Sequence, residues 1–204
     1  MNLKSIALTS SVALVLAACS IGKPVPQART YLVEPAAPAG RLSGMHGSEV
    51  AHMGNVRVAA AFAGSGLVYR TDDVTFVSDP YEAFIADPRA MLGNQMASWL
   101  NRAGPFKAVT QPDSMLPARY TLEANVTELY GDFRPGRPPA AAVAVQFILI
   151  DVDAVNSGRV FEQTIARRVA LEHASPDALV RGYGKAVSEI LSEVAAELAM
   201  KKLR

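Results

Sequence analysis

Few side chains in this sequence are of the types that catalyse reactions or bind metals, and none occurs in a spacing typical of such a site. His46, His52 and His173 are the only histidines, and no cysteine, histidine or carboxylate accompanies them at metal-ligand spacing within a well-predicted element. His46 and His52 fall in a connecting stretch without a helical or strand period. We therefore interpret them as solvated side chains and predict no metal site.

Asp151 and Asp153 are carboxylates two residues apart on one strand face, a spacing that could serve an acid and base pair or a cation. They come just before the turn sequence at residues 156–158, so we interpret them as solvated turn residues. The Gly-Ser-Gly at residues 64–66 lacks the strand-to-helix setting of a hydrolase nucleophile. No phosphate-binding glycine loop precedes a helix. The sequence therefore predicts no catalytic residue and no cofactor.

Cys19 is the only cysteine, and the residues before it have the layout of a signal for export. Lys4 supplies a positive charge, an apolar run of about 11 residues follows at 6–16, and Ala17 and Ala18 are the small residues that precede a cleavage site. The run is shorter than the roughly 20 residues that span a bilayer, so it does not predict a permanent transmembrane helix. An ordinary signal peptide with an incidental cysteine is the alternative.

Residues 16–19, Leu-Ala-Ala-Cys, resemble the lipobox of bacterial lipoproteins. The resemblance implies diacylation of the Cys19 sulfur, cleavage between Ala18 and Cys19, and acylation of the new amino terminus. Residues 1–18 would then be a signal peptide, 19–30 a lipidated tether and 31–204 a single domain. A tether of this length reaches at most about 35 Å at roughly 3.3 Å per residue, which keeps the domain near the bilayer. Ser20 resembles the residue that follows the cysteine in outer-membrane lipoproteins.

Charge and composition favour a globular protein-binding domain over a nucleic-acid-binding one. Removal of residues 1–18 from the 204 leaves 186, enough for a sizeable core, and the chain is 50% apolar and 19% charged. Of its 20 basic and 19 acidic residues only Lys4 is removed, so the mature chain is close to neutral. It has no signature of nucleic-acid binding and no polybasic patch for anionic lipid. With Cys19 lipidated, no intramolecular disulfide can form.

Two helices are predicted from apolar periodicity and terminal residues. Asp87 followed by Pro88 is a helix start, and Gly104-Pro105 is a helix stop. The second helix begins at Ser175-Pro176-Asp177. The predicted helices cover residues 87–103 and 176–203. Their apolar faces comprise Met91, Leu92, Met96, Trp99 and Leu100 in the first, and Val180, Tyr183, Val187, Ile190, Leu191, Val194 and Leu198 in the second.

The remaining pattern predicts strands, and with the helices an α+β fold. Short strands are expected near residues 31–35, 56–62, 67–70 and 74–77, with a patternless connector at 36–54. Three longer strands near 120–127, 141–152 and 160–171 are joined by short turns, which predicts an antiparallel meander. We therefore expect an antiparallel sheet packed by two main helices.

Several motifs taken in order resemble the ABC-type transport auxiliary lipoproteins, the PqiC-like family that partners MCE-domain lipid transporters. One expected feature is missing, because no aromatic stands at residues 85–87 just before Pro88, and we interpret the connector at 36–54 as an insertion relative to the family. The matching motifs are the lipobox, Tyr-Leu-Val-Glu-Pro at 31–35, Leu-Val-Tyr-Arg at 67–70, Tyr81 with Phe-Ile-Ala-Asp-Pro at 84–88, Trp-Leu at 99–100, and the later strands with a long closing helix.

The resemblance implies a non-catalytic lipoprotein anchored to the outer membrane on its periplasmic side. It would dock on an MCE-domain assembly and through it act with an inner-membrane permease and its ATPase, in the transport of lipids or other hydrophobic compounds. Tyr69, Arg70, Tyr81 and Phe84 are candidates for the partner interface. Each aromatic ring fits either a core position or a partner-facing groove, whereas Arg70 fits an interface better.

Two other functions remain open from the sequence. One is a lipoprotein that assembles other outer-membrane machinery, or binds the cell wall, through its strand edges. The other is a tethered periplasmic hydrolase that uses Asp151, Asp153 or His173. The sequence leaves open the cargo, the direction of transport, direct contact with lipid, and the oligomeric state, a homo-oligomer included.

Overall fold

A computed structural model describes residues 27–44, 46–154 and 158–200 of the chain. Cys19, the predicted signal peptide and most of the predicted tether lie outside the described residues, as do the last residues of the predicted closing helix. Within the described ranges the chain forms eight strands and two helices, with one 3-10 turn at Ala60–Phe62. In chain order they are β1 (Arg29–Tyr31), β2 (His46–Val58), β3 (Gly66–Arg70), β4 (Phe76–Phe84), α1 (Pro88–Ala103), β5 (Phe106–Thr110), β6 (Tyr120–Asp132), β7 (Ala140–Asp151), β8 (Gly158–Ala170) and α2 (Pro176–Met200).

The strands form one mixed sheet with β6 at its centre. β6 pairs antiparallel with β7, and β7 with β8, which confirms the predicted meander and the α+β class. Two strands share the other edge of β6, and both run parallel to it. β2 pairs with its first half and β3 with its second half; β5 then extends the sheet beside β2, and β4 and β1 extend it beside β3.

The predicted antiparallel pairing holds for β6, β7 and β8, but the sheet as a whole is mixed, because β2 and β3 are both parallel to β6. Turn signals in the sequence report only how consecutive strands are joined. The partners β3 and β6 are separated by a helix and two strands, so no turn between them indicates their relative direction.

The predicted connector is also wrong over residues 46–54, which belong to β2. This segment is rich in Gly and polar residues, yet it lies between β5 and β6, and hydrogen bonds to both neighbours outweigh its weak strand propensity. Ala51 and Met53 are fully buried. His46 is buried as well, with its ring centroid 6.0 Å from that of Phe106, so its interpretation as a solvated residue is wrong.

The first helix begins and ends, and the second begins, where their terminal residues predict. Asp87 accepts a hydrogen bond from the Arg89 N–H at 2.8 Å, and Pro88 follows at the first helical position. α1 ends at Gly104, which adopts a φ of +76° and donates its N–H to the Leu100 carbonyl. α2 begins after Ser175, whose Oγ accepts from the Ala178 N–H at 3.4 Å.

The two helices contact each other and pack on one face of the sheet, α1 on β2 and β5 and α2 on β7 and β8. Residues 32–44, here called the strap, cross over the helix pair. The Trp99 Nε1–H of α1 donates to the Ala36 carbonyl at 2.6 Å, and the Ser188 hydroxyl of α2 donates to the same oxygen at 3.3 Å. Trp99 is thereby closed off from solvent. Over the described residues, neither helix has the length and apolar content needed to traverse a bilayer.

Candidate interaction surface

Asp151 lies in a buried ion pair and does not form an acid and base pair with Asp153. Its Oδ2 is 3.0 Å from Nη2 of Arg119, and its Oδ1 accepts the Asp153 N–H at 3.2 Å. The Arg119 guanidinium holds the pKa of Asp151 below its ordinary value. Asp151 is only 5% exposed, so its interpretation as a solvated turn residue is wrong, whereas Asp153 is exposed as predicted.

His173 is exposed, and its Nε2 lies 3.9 Å from a carboxylate oxygen of Glu172. His52 is half-buried, with its Nδ1 3.0 Å from the Thr110 hydroxyl. Across residues 27–44, 46–154 and 158–200, no three or more His, Cys, Asp or Glu side chains gather as a metal site would require.

Two of the four predicted interface residues lie inside the domain. The Tyr69 hydroxyl donates to Asp79 Oδ2 at 2.9 Å, and its ring stacks on Phe133 with centroids 5.1 Å apart. Burial, with the hydrogen bond to Asp79, raises the pKa of Tyr69 above its ordinary value. Phe84 is 5% exposed and packs 6.2 Å from the ring of Tyr183 in α2. Both rings stabilise the β3–β4 hairpin from the helix side.

The other two, Arg70 and Tyr81, reach the surface. The Arg70 guanidinium donates to the backbone carbonyls of Asp72 and Asp73 and lies 5.5 Å from the ring centroid of Phe76. Tyr81 is 41% exposed, and its N–H donates to Asp79 Oδ1 at 2.9 Å. Of these three aromatic rings Tyr81 is the most exposed, since Tyr69 is partly buried and Phe84 is buried.

Three further apolar side chains at this hairpin are exposed. Val74 is 89% exposed, and Phe76 and Val77 are each about half exposed. The alternation at residues 74–77 predicts a strand, but it does not show that the strand has a free edge. β1 pairs only with Glu82–Phe84, so the first half of β4 has no neighbour on that side among the described residues.

A network of ion pairs fixes this hairpin to the sheet. The Asp132 carboxylate has no exposed surface and accepts hydrogen bonds from Arg134 at 2.8 and 2.7 Å and from Arg168. The remaining Arg134 nitrogen, Nη1, lies 2.9 Å from Asp73 in the hairpin turn. The two arginines hold the pKa of Asp132 well below its ordinary value. The hairpin is therefore held in one position relative to β6 and β8.

Comparison with known proteins connects this fold to a transport function. Residues 31–195 match the family model described as "ABC-type transport auxiliary lipoprotein component". Among curated proteins, no relative matches the sequence.

Two solved structures are similar in fold. A protein from Xanthomonas campestris has a TM-score of 0.71 and 13% sequence identity, over 83% of this chain and 95% of its own. An uncharacterized protein has a TM-score of 0.66 and 17% identity, over 84% of this chain and 99% of its own. The family match runs from the end of β1 through most of α2 and so includes the hairpin, the meander and both helices, which confirms the resemblance seen in the motifs. This chain belongs to the family of ABC-type transport auxiliary lipoprotein components.

Proposed function

We propose that this protein is a periplasmic lipoprotein, anchored to the outer membrane through acyl groups on Cys19, that serves an MCE/ABC-type transport system for lipids or other hydrophobic compounds. The family match supports the proposal, since it covers most of the chain and describes an auxiliary lipoprotein component of transport. The lipobox at residues 16–19 and Ser20 support the anchor and the outer-membrane location.

The protein acts in this system by binding and not by catalysis. Asp151 is committed to an ion pair with Arg119, and Asp153 and His173 are exposed side chains outside any enclosed site. This arrangement does not favour the tethered hydrolase. The transport energy would come from the ATPase of the system, and the lipoprotein would hold the assembly at the outer membrane.

The partner is an MCE-domain protein, and it docks on the part of the hairpin that presents Arg70 and Tyr81. Aromatic residues and arginine are favoured at the centres of protein interfaces, because each offers a large contact area together with a polar group. Tyr81 is exposed, whereas the Tyr69 hydroxyl is bound to Asp79 and Phe84 packs against Tyr183. The fixed position of the hairpin lowers the entropy that binding would cost.

Co-purification tests both the function and the site. The full-length chain, tagged and expressed at its native level, is recovered from membranes in mild detergent, and the MCE-domain protein is quantified by mass spectrometry. We expect the unaltered chain to recover it, and Tyr81→Asp to reduce the recovery about tenfold, as expected for an interface hot spot. Met115→Asp is the matched control, since Met115 is 96% exposed on the β5–β6 loop.

The possible results of this experiment distinguish the proposed function from the proposed binding site. Absence of the MCE-domain protein from the unaltered sample would overturn the proposed function. Equal recovery with Tyr81→Asp would overturn only the assignment of the site, and a loss confined to Met115→Asp would move the site to the β5–β6 loop.

The alternative function, in assembly of other outer-membrane machinery or in cell-wall binding, would use a different part of the sheet. β8 pairs only with β7 among the described residues, which leaves a 13-residue strand with one free edge. Such an edge can accept a strand from another chain. Recovery of a partner unrelated to MCE proteins, sensitive to proline at an exposed position of β8, would favour this alternative.

A further inference from the structure

β8 gives the sheet a long free edge. It has 13 residues, and among the described residues it pairs only with β7. The other strands that end the sheet are much shorter, since β1 has three residues and β5 has five. A long edge presents a row of unpaired N–H and C=O groups to which a strand of another chain can bind, and short edge strands are one way in which proteins prevent this. β8 lacks that protection.

Most of β8 is regular enough to continue the sheet. β7 and β8 pair residue by residue from Phe161 to Ala170, and the irregularity in their register lies before Phe161. A bulge or a proline would interrupt the hydrogen bonds of an added strand, and this stretch contains neither. The edge from Phe161 to Ala170 can therefore accept a strand along its whole length.

The two faces of β8 differ in polarity, which restricts the strand that can be added. Arg167 binds Glu193 of α2, so the odd-numbered residues lie on the face that the helices cover. On this face the buried apolar side chains are those of Phe161, Ile165 and Val169. The exposed side chains on the opposite, open face are those of Glu162, Thr164, Ala166 and Arg168. An added strand must place apolar residues beside the first set and polar residues beside the second.

A second copy of β8 meets this requirement when it runs antiparallel to the first with Ile165 opposite Ile165. A two-fold axis perpendicular to the sheet then keeps the helices of both copies on one face. Phe161 of each copy lies opposite Val169 of the other, which continues the apolar face. On the open face Glu162 lies opposite Arg168, and opposite charges at such positions attract.

The neighbouring registers are less favourable. Centring the axis on residue 163 places Arg159 opposite Arg167, and centring it on residue 162, 167 or 168 places a charged residue opposite itself. Like charges directly across a strand pair are destabilising. Centring the axis on residue 164 or 166 leaves Glu162 opposite an alanine. Among these registers, the one centred on Ile165 pairs opposite charges and opposes no like charges.

The charged side chains of β8 are already bound within their own chain, which lowers the cost of covering them. Arg167 binds Glu193, and Arg168 binds the buried Asp132. Charges that are paired in advance lose less hydration when a second copy approaches. The Arg168 side chain is still 49% exposed, so it can also bind Glu162 of the second copy.

We propose that two copies of this protein pair through antiparallel β8 strands, centred on Ile165, so that their eight-stranded sheets become one continuous sheet. The interface is small for a permanent dimer, and it therefore forms most readily where the copies are concentrated. The inference goes beyond the proposed transport function and does not depend on it.

Disulfide cross-linking tests the register. Thr164→Cys and Ala166→Cys are introduced on separate full-length chains with different tags, which are co-expressed and oxidised in isolated membranes. Residues directly opposite each other have Cβ atoms about 4.5–5.5 Å apart, against about 7–8 Å for diagonal neighbours, and a disulfide requires about 3.5–4.5 Å. In the proposed register position 164 lies opposite position 166, so we expect the mixed pair to cross-link several-fold more than either variant with itself.

Two controls accompany this experiment. The unaltered chains retain Cys19 and report any disulfide that this residue forms. Asp113→Cys mixed with Met115→Cys gives two exposed positions at the same spacing on the β5–β6 loop and measures cross-linking by random collision. A mixed product no greater than that of the loop pair would overturn the proposal. Products of position 164 or 166 with itself that exceed the mixed product would overturn it as well.

Reversal of one charge tests the pairing between Glu162 and Arg168. Glu162→Lys places two cations opposite each other on both sides of the axis, so we expect it to reduce the mixed cross-link several-fold. Asp113→Lys makes the same change in charge on the exposed loop and should leave the cross-link unchanged. Thermal unfolding of both variants shows whether the domain remains folded. An undiminished cross-link in a folded Glu162→Lys variant would contradict the register and with it the proposal.

The same membranes distinguish this inference from the proposed function. Recovery of the MCE-domain protein without the mixed cross-link would support the function and overturn only the β8 pairing. The mixed cross-link in a chain that recovers no MCE-domain protein would support the pairing and overturn the function. A cross-link from position 164 to a different protein, in place of the mixed product, would show that β8 accepts a strand of another partner and would overturn the pairing of two copies.

Discussion

At the scale of single residues, Asp132 joins three parts of the chain that are distant in sequence. Its carboxylate is fully buried and accepts from Arg134 at the end of β6 and from Arg168 in β8, while Arg134 also binds Asp73 in the hairpin turn. Removing one charge from a buried ion pair leaves its partner both unpaired and removed from water, which destabilises the folded state. We therefore expect Asp132 to stabilise the end of the sheet at which the β3–β4 hairpin turns.

The low pKa of Asp132 makes this contribution dependent on pH. Since the carboxylate has a lower pKa in the folded than in the unfolded chain, its contribution is complete above about pH 4 and is lost as the pH falls further. We expect Asp132→Asn to lower the free energy of unfolding at pH 7 by about 3 kcal/mol, and the difference from the unaltered chain to narrow toward pH 2. Urea denaturation of the mature chain between pH 7 and pH 2 measures both effects.

The matched control for Asp132→Asn is Asp113→Asn, which removes the same charge from an exposed loop residue. We expect this variant to stay within about 0.5 kcal/mol of the unaltered chain at every pH. An Asp132→Asn variant with the same pH dependence as the unaltered chain would contradict the role given to the ion pairs.

At the scale of elements, the close contact between the strap and α2 depends on a glycine in the helix. A Cβ atom built on Gly184 would lie 2.5 Å from the Glu34 carbonyl oxygen, a backbone atom. The strap is held nearby by the two hydrogen bonds to the Ala36 carbonyl, so it cannot retreat locally. A glycine in mid-helix costs about 1 kcal/mol in helix propensity, and here that cost permits the strap to cover the helix pair.

We expect Gly184→Ala to destabilise the domain by about 1–2 kcal/mol, because the steric cost of overpacking exceeds the gain in helix propensity. Denaturant unfolding measures the change. Gly93→Ala in α1 is the control, since its Cβ would meet the Val56 and Pro112 side chains at 3.2 Å and beyond. We expect it to be neutral or stabilising, and a stabilising Gly184→Ala would show that the strap is free to move.

At the scale of the whole molecule, the sheet along β6 spans about 40 Å at roughly 3.3 Å per residue. The proposed acyl groups on Cys19 would hold a domain of this size at the membrane.

We expect Cys19→Ala to leave the domain folded and to release it from the outer-membrane fraction, since the acyl chains supply its membrane affinity. Fractionation of the envelope and thermal unfolding of the released protein measure the two effects. Ser20→Ala, which keeps the cysteine, should remain with the outer membrane. Unchanged fractionation of Cys19→Ala would contradict the anchor.

Local sequence patterns determined the helices, the long meander and the family. Asp87 with Pro88 and Gly104 mark the ends of α1 because a helix terminus needs a side-chain acceptor or a left-handed residue at a set position. The meander follows from alternating residues joined by short turns, which also depend only on neighbours in the chain. The prediction that Cys19 is lipidated rests in the same way on its neighbours, since it depends on the residues directly before it.

Only the tertiary structure decided the surroundings of the candidate site. The parallel pairing of β2 and β3 with β6, the ion pairs of Asp132 with Arg168 and of Asp151 with Arg119, and the burial of His46 against Phe106 all join residues far apart in the chain. Whether an aromatic ring such as Phe84 or Tyr81 faces the core or solvent depends on which side of the hairpin a helix covers. Patterns over three or four residues carry no information about such contacts, because the partners are brought together only when the sheet forms.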